Sequence, residues 1–264
     1  MRDIVALARL QAGLVVGSAR TQVLLQMRHP MTIVAGTVTP LLFTAVSVLP
    51  RTVPLTGPEA TQAVTGSLLA AFWAGSVWGG VSILRRDRSE RTLAPTLTGV
   101  APAAVTLMAR TVGCTALAIA AALPAQLLAV VLFRLNPVIL HPGVLIGGLV
   151  LVVVSGTAAC FLLSTLMVIS RFGFQITSAL GPPMLLLGGT VLPTDQLPAV
   201  LQPLSWLISL SWLQRLLSST ASPSVDGTAA LVACLLTVAY LVVGLSLFRR
   251  ALRRARQEAT LELV

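Results

Sequence analysis

The segment Arg85-Arg86-Asp87-Arg88-Ser89-Glu90-Arg91 contains six charged residues in seven positions, although only 10% of the whole chain is charged. Long apolar stretches lie on both sides of this charged segment. One arginine at the centre of a membrane-spanning helix costs about 3 kcal/mol on insertion scales. The charged segment is therefore predicted to lie at a water face of a membrane. Short arginine-rich loops stay on the cytoplasmic side, so it also predicts the orientation of its neighbours.

The composition predicts an all-α integral membrane protein. The chain has 264 residues, of which 56% are hydrophobic, and its mean hydropathy is +0.92. This length accommodates five or six helices of about 20 residues each, with little left for a water-soluble domain. The net charge of +10 comes from arginines that flank the apolar stretches. We therefore predict membrane lipid with anionic headgroups, and not nucleic acid, as the partner of this charge.

Six apolar stretches of membrane length predict six transmembrane helices, at residues 31–50, 61–84, 105–133, 143–169, 172–192 and 227–248. Gly181-Pro182-Pro183 is expected to break the fifth of these spans midway. Arg110 is expected to extend from the third span to the inner headgroups. Gly75 and Gly79 form a close-packing pattern in the second span, which suits contacts within the subunit or a dimer seam.

Four further segments complete the single predicted transmembrane domain, 1–264. Residues 2–28 predict an amphipathic interfacial helix with Arg2, Arg9 and Arg20 on one face, the alternative being a loosely ordered basic tail. Residues 85–102 form a cytoplasmic loop. Residues 193–225 are rich in Pro and Trp and predict two short re-entrant helices in the outer leaflet. Residues 249–264 form a cytoplasmic tail.

The distribution of arginine supports an orientation with both termini in the cytoplasm. In this orientation, all but three of the 18 basic residues, every one an arginine, lie on the inner side. The three outer residues are Arg51, Arg134 and Arg215.

The chain offers little for catalysis, metal binding or ion coupling. Its two histidines and three cysteines lack the spacing of metal ligands or of a disulfide framework, and the cysteines are expected to be small buried residues. No acidic residue lies within a predicted span, which argues against a proton- or sodium-coupled transporter. No phosphate-binding loop of the type GxxxxGK[ST] occurs. Gln126, deep in the third span, suits either a substrate path or an interhelical hydrogen bond.

The order of these elements resembles the membrane subunits of type-2 ABC exporters. The resemblance rests on three stretches, which are Asp87-Arg88-Ser89-Glu90-Arg91-Thr92-Leu93, Gly99-Val100-Ala101-Pro102, and Leu201-Gln202-Pro203-Leu204-Ser205 followed by Leu210-Ser211-Trp212. Arg91 stands where the family usually has Gly, Ala94 stands where it usually has Glu, and Pro95 interrupts the short helix expected there.

This resemblance implies a permease and not an enzyme. Two such subunits, identical or related, would pair with two ATP-binding cassette subunits in a bacterial inner membrane. ATP and Mg²⁺ would bind to those partners, so no cofactor is expected on this chain. A coupling helix in the loop would dock on the ATPase. The residues that the resemblance assigns to this contact are Asp87, Arg88, Glu90, Arg91, Thr92 and Leu93.

Within the charged segment, two roles remain open at this stage. Arg85 and Arg86, closest to the span, suit topological anchors. Asp87 and Glu90 suit docking, because topology alone does not require acids, and Asp87 is also placed to cap a helix. The cargo expected for such spans is an apolar or amphipathic molecule, such as a drug, an antibiotic or a lipid. The alternative function is a stand-alone membrane channel or scaffold without ATPase coupling.

Overall fold

The computed structural model describes residues 2–28, 30–49, 55–90, 102–169, 173–190, 198 and 200–257. These residues are mostly helical. The longer helices are α1 (Arg2–Met27), α2 (Pro30–Val48), α3 (Pro58–Ser89), α4 (Ala103–Leu132), α5 (Pro142–Ile169) and α6 (Gly173–Leu187). Two short helices follow, α7 (Gln202–Trp206) and α8 (Ser209–Ser218), and then the long α9 (Gly227–Gln257).

Two very short strands also occur. The strands β1 (Thr56–Gly57) and β2 (Asn136–Pro137) pair in parallel just before α3 and just after α4. A single 3₁₀ turn, Ser219–Ala221, follows α8. The all-α prediction therefore holds for the long elements, and these two-residue strands only join two loops at one end of the bundle.

Three of the described helices are long and apolar enough to cross a membrane. They are α4, the Pro142–Leu166 part of α5 and the Gly227–Arg253 part of α9. Their outer faces leave large apolar side chains exposed, since Val131 is 75%, Ile146 65% and Leu235 61% exposed. Apolar surface of this extent is unusual on a water-soluble monomer. These helices therefore fit a membrane protein.

Helix α3 occupies the centre of the bundle and packs against α2, α4, α5 and α8. Small residues allow these close contacts. A Cβ atom at Gly156 of α5 would lie 2.5 Å from the Phe72 ring of α3, and one at Gly75 would lie 3.1 Å from Ala118 of α4. Gly79 faces Cys114 of the same chain. Gly75 and Gly79 of α3 therefore allow close packing within the subunit, which is the first of the two roles predicted for them.

Side-chain hydrogen bonds join the helices across the apolar core. The Thr115 and Thr157 hydroxyls lie 2.8 Å apart between α4 and α5. Ser155 of α5 donates to Ser209 of α8 at 2.9 Å. The Tyr240 hydroxyl of α9 donates to the Leu207 carbonyl at 2.6 Å. Polar groups that lie away from water need such partners, and in membrane proteins they bind helices together.

Several boundaries differ from the predicted ones. Helix α3 continues beyond residue 84 to Ser89, and α9 continues beyond 248 into the predicted tail as far as Gln257. Helix α6 has only 15 residues and runs without interruption through Pro182 and Pro183, so the predicted break in the fifth span is wrong. A proline has no backbone N–H group, so one carbonyl in the preceding turn loses its hydrogen-bond donor. A helix can still continue where neighbouring groups donate to that carbonyl.

The segment 193–225 does contain two short helices, α7 and α8, in its described part. Their position relative to the leaflets of a membrane stays a prediction. The prediction of buried cysteines holds for Cys114 and Cys160 but is wrong for Cys234, which is exposed. Cys234 lies on α9 among exposed apolar residues, so it faces the surroundings of the bundle and not its core.

Candidate functional site

The charged segment begins within the last turns of α3, where Asp87 forms an ion pair with Arg110 of α4. Arg110 Nη2 donates to Asp87 Oδ1 at 2.9 Å, and Nη1 donates to the other carboxylate oxygen. The two side chains are only 13% and 6% exposed. Because both oxygens are bound by one planar guanidinium, the pair fixes orientation as well as distance.

Helix α1 contributes to the same cluster. Arg110 Nε donates to Oε1 of Gln22 at 3.1 Å, and Gln22 itself is only 2% exposed. One turn further along both helices, Gln26 Nε2 donates to the Cys114 sulfur at 3.1 Å. Residues four apart lie on one helix face, so α1 contacts α4 through two successive turns. We refer to Gln22, Asp87 and Arg110 as the junction cluster.

Arg110 reaches the carboxylate of Asp87 near the end of α3, and its extension to the inner headgroups stays a prediction. Its guanidinium makes three hydrogen bonds within the protein, two to Asp87 and one to Gln22. Because both side chains are largely removed from solvent, water screens this ion pair little. Asp87 also does not begin a helix as a cap, since it lies inside α3.

A glycine brings α1 close to α4 beside the junction cluster. A Cβ atom at Gly113 would lie 2.5 Å from the Ala19 backbone oxygen, which cannot move independently of its helix. The absence of a side chain at Gly113 is therefore required for this approach. The result is a close meeting point of α1, α3 and α4 beside the last turns of α3.

The structure separates the predicted coupling residues into two groups. Asp87 is 4% exposed, whereas Glu90, which follows the end of α3, is exposed. Arg88 lies on α3, and its side chain lies outside the described part of the chain. Arg91, Thr92 and Leu93 lie outside the described residues altogether. Their docking role stays a prediction.

The helix predicted for 2–28 is present as α1, and its position at a membrane interface stays a prediction. Arg20 is exposed, while the side chains of Arg2 and Arg9 lie outside the described part. Two apolar residues of α1, Val16 and Leu24, are 65% and 52% exposed, whereas its buried contacts are made by glutamines. Arg20 lies between these two apolar residues at four-residue spacing, so the exposed face of α1 is mixed and not purely apolar.

Gln126 forms the interhelical hydrogen bond that was one of its two predicted roles. It is 3% exposed, and its Nε2 donates to the Thr44 hydroxyl of α2 at 3.2 Å. Thr44 in turn donates to Ser67 of α3 at 2.9 Å. Gln126 thus belongs to a buried polar group that joins three helices, and a role in a substrate path stays a prediction.

Sequence reasoning missed the partners within the junction cluster. The available signals were an arginine inside an otherwise apolar span, an aspartate among arginines, and two glutamines four residues apart in α1. None of these signals pairs one residue with another, because the residues concerned are 23 and 88 positions apart. Only the packing of α1 and α3 on α4 brings them together.

Within the described residues, no group of three or more His, Cys, Asp or Glu side chains is placed to hold a metal ion. No protein-family model matches the chain, and no curated protein matches its sequence. The arguments about function therefore rest on the residues themselves.

Proposed function

We propose that this chain is the transmembrane permease subunit of an ATP-driven exporter of the type-2 ABC kind. It would move an apolar or amphipathic molecule out of the cytoplasm or the inner leaflet. A second permease subunit and separate ATP-binding subunits would complete the assembly. The membrane would be a bacterial inner membrane, with both termini of this chain in the cytoplasm.

The observation that best supports this proposal is the junction cluster. It ties the end of α3 to α1 and α4 through one bidentate ion pair and one further hydrogen bond. The loop that resembles the coupling element of these exporters follows directly. A loop that transmits movement from a soluble ATPase needs a stiff attachment to the spans, and a buried ion pair among three helices supplies one.

The energy source also favours a separate ATPase. The three membrane-length helices contain no Asp or Glu, so they offer no acid for coupling to an ion gradient. Glu90 is exposed just beyond the cluster, in a position that a soluble partner can reach. Exposed charge of this kind contributes to partner choice and association rate.

The experiment is co-purification from the native host. The tagged full-length chain is extracted in a mild detergent, and the proteins that accompany it are identified by mass spectrometry. We expect an ATP-binding cassette subunit in stoichiometric amount. The variant Glu90→Arg should weaken its recovery, because an exposed charge at the contact is reversed. Asp87 is unsuitable for this test, since its reversal would break the ion pair with Arg110 and disturb the fold.

Arg134→Glu is the matched control, because it also reverses one exposed charge but at the far end of α4. Recovery of the ATPase should be unchanged in this variant. If a well-folded chain is purified without any ATP-binding subunit, the proposal is wrong and a stand-alone channel or scaffold is favoured. A folded Glu90→Arg variant with full recovery would remove Glu90 from the contact.

A further inference from the structure

Two cysteines from different helices meet in the buried centre of the bundle. Cys114 of α4 is 1% exposed, and Cys160 of α5 is fully buried. Both sulfurs lie within hydrogen-bonding distance of the Ser76 carbonyl oxygen of α3, Cys114 Sγ at 3.9 Å and Cys160 Sγ at 3.4 Å. The two thiols also lie within hydrogen-bonding distance of each other. We refer to Cys114 and Cys160 as the thiol pair.

Two successive glycines of α3 make room for the thiol pair. A Cβ atom at Gly79 would overlap the Cys114 sulfur, and one at Gly80 would overlap the Cys160 sulfur. Successive residues of a helix point about 100° apart, so the two sulfurs approach one turn of α3 from two sides. A side chain at either glycine would displace a sulfur. The backbone of α3 is therefore shaped to accept both thiols at one place.

Helix α1 directs a hydrogen-bond donor at one of the two sulfurs. Gln26 Nε2 donates to Cys114 Sγ at 3.1 Å, and Gln26 is only 3% exposed. A hydrogen bond to an ionised acceptor is about twice as strong as one to a neutral acceptor. Donors of this kind orient the ligands of metal sites and stabilise their charged form. The contact therefore suits a sulfur that loses its proton when it binds a metal ion.

The thiol pair offers soft ligands, and only two of them. Thiolate sulfur selects soft cations such as Cu(I), whereas carboxylate and carbonyl oxygen suit Mg²⁺ and Ca²⁺. A structural zinc site requires four ligands. Among the residues that the structure describes, no third His, Cys, Asp or Glu side chain joins the pair. The set therefore fits a cation that two sulfur ligands can satisfy.

We infer that the thiol pair binds one soft monovalent cation of the Cu(I) class between Cys114 Sγ and Cys160 Sγ. Each thiol loses its proton on binding, so two protons are released for each cation, and no electron is transferred. The complex carries one net negative charge, which the N–H group of Gln26 partly offsets. The bound cation would tie α4 to α5 across α3. This assignment is independent of the proposed transport function.

The test uses Ag(I), which shares the ligand preference of Cu(I) and does not change its oxidation state in air. The full-length variant Cys234→Ser in mild detergent lacks the exposed cysteine and keeps the thiol pair. It is reduced, freed of reductant and titrated with Ag(I) in a chloride-free buffer. We expect native mass spectrometry to show one tightly bound Ag(I) per chain. Binding should also raise the unfolding temperature, because a ligand of the folded state stabilises it.

Absence of Ag(I) binding by the folded Cys234→Ser variant would overturn the inference. Two further variants in the same background locate the cation. Cys114→Ser and Cys160→Ser should each weaken binding at least about 100-fold, because one of the two sulfur ligands becomes a hydroxyl. Serine is close to cysteine in size, and thermal unfolding without metal checks that each variant folds. If Cys114→Ser does not fold, Cys160→Ser decides alone. Unchanged affinity in a folded variant would contradict the site.

Zn(II) tests the number of ligands. We expect no Zn(II) to bind to the Cys234→Ser variant at the concentration that saturates it with Ag(I), since Zn(II) would find only two of its four ligands. Zn(II) binding as tight as that of Ag(I) would reveal further ligands and overturn the assignment to a cation held by two sulfurs. Preference for Ag(I) that is lost in both folded serine variants would support it.

Discussion

The guanidinium of Arg110 binds both carboxylate oxygens of Asp87, so one ion pair connects the first turns of α4 to the last turns of α3. Both side chains are largely removed from solvent. Removing each charge from water costs free energy, and the attraction between the two charges offsets that cost. Removing a single partner would leave the other buried charge without its bidentate counter-ion, which is more harmful than removing both.

The first prediction concerns this ion pair. Asp87→Asn and Arg110→Gln should each lower the free energy of unfolding by about 3 kcal/mol. The double variant should lose clearly less than the sum, because neither charge is then left alone. Unfolding of the purified protein in mild detergent provides the measurement, with the exposed Glu90→Gln as a control. Strict additivity of the two single variants would contradict the pairing.

The second prediction concerns the contact between α1 and α4. Gly113→Ala should destabilise the protein by about 1–3 kcal/mol, since a Cβ atom would meet the Ala19 backbone oxygen at 2.5 Å. Gly147→Ala in α5 is the matched control, because a Cβ atom there has no neighbour within 4 Å. That control should be neutral or slightly stabilising through helix propensity. Thermal unfolding of both variants distinguishes these outcomes, and equal behaviour would refute the close approach.

The third prediction concerns the hydrogen bond between Gln126 and Thr44. Gln126→Leu and Thr44→Val should be coupled by about 0.6 kcal/mol, the average for such bonds in membrane proteins. A double-mutant cycle on unfolding measures this coupling. Zero coupling would show that the bond contributes nothing. A transport defect in a Gln126→Leu variant of normal stability would instead support the role in a substrate path.

The fourth prediction concerns the accessibility of the cysteines. Cys234 is exposed on α9, whereas Cys114 and Cys160 are buried. A small apolar maleimide that partitions into the detergent around α9 should therefore modify Cys234 first in the folded protein, and the other two thiols only after unfolding. Mass spectrometry of the peptides gives the order of modification. The variant Cys234→Ser should remove the fast phase, and rapid modification of Cys114 in this variant would contradict the packing around α3.

The fifth prediction concerns the cap of α9. Asp226→Ala should cost about 1 kcal/mol, because the Ala229 amide loses its acceptor, while Asp226→Asn should cost much less. The lowered pKa of Asp226 means that its stabilising contribution is present above its unfolded pKa of about 4 and is lost as the pH falls further. Stability of Asp226→Asn should lack this acid-sensitive component. An identical pH profile for wild type and Asp226→Asn would exclude it.

The helices could be predicted from the sequence because each depends on a local pattern. Apolar runs of membrane length placed α4, α5 and the start of α9 within a few residues of their observed positions. The second span is predicted to end at residue 84, and α3 continues beyond it, because a run of charge predicts a water face but does not end a helix. Arginine and glutamate are good helix formers, so α3 continues to Ser89.

The candidate site could be predicted only in part. The exposed Glu90 agrees with a segment at a water face. Asp87 belongs to the same seven residues but turns inward, because helical spacing directs it toward α4 and Arg110 is there to neutralise it. No pattern along the chain gives the direction of a single side chain at the edge of a span.

The sequence by itself therefore determined that this is a helical protein with membrane-length apolar segments that are flanked by arginines. These properties follow from composition and local spacing, so they do not depend on long-range contacts. Tertiary structure alone decided that Asp87, Arg110 and Gln22 form one cluster and that Gln126 forms a hydrogen bond with Thr44 of another helix. Both arrangements form only when helices that are distant in sequence pack together. Burying a polar group costs free energy, and the hydrogen-bond partners that offset this cost come from the neighbouring helices.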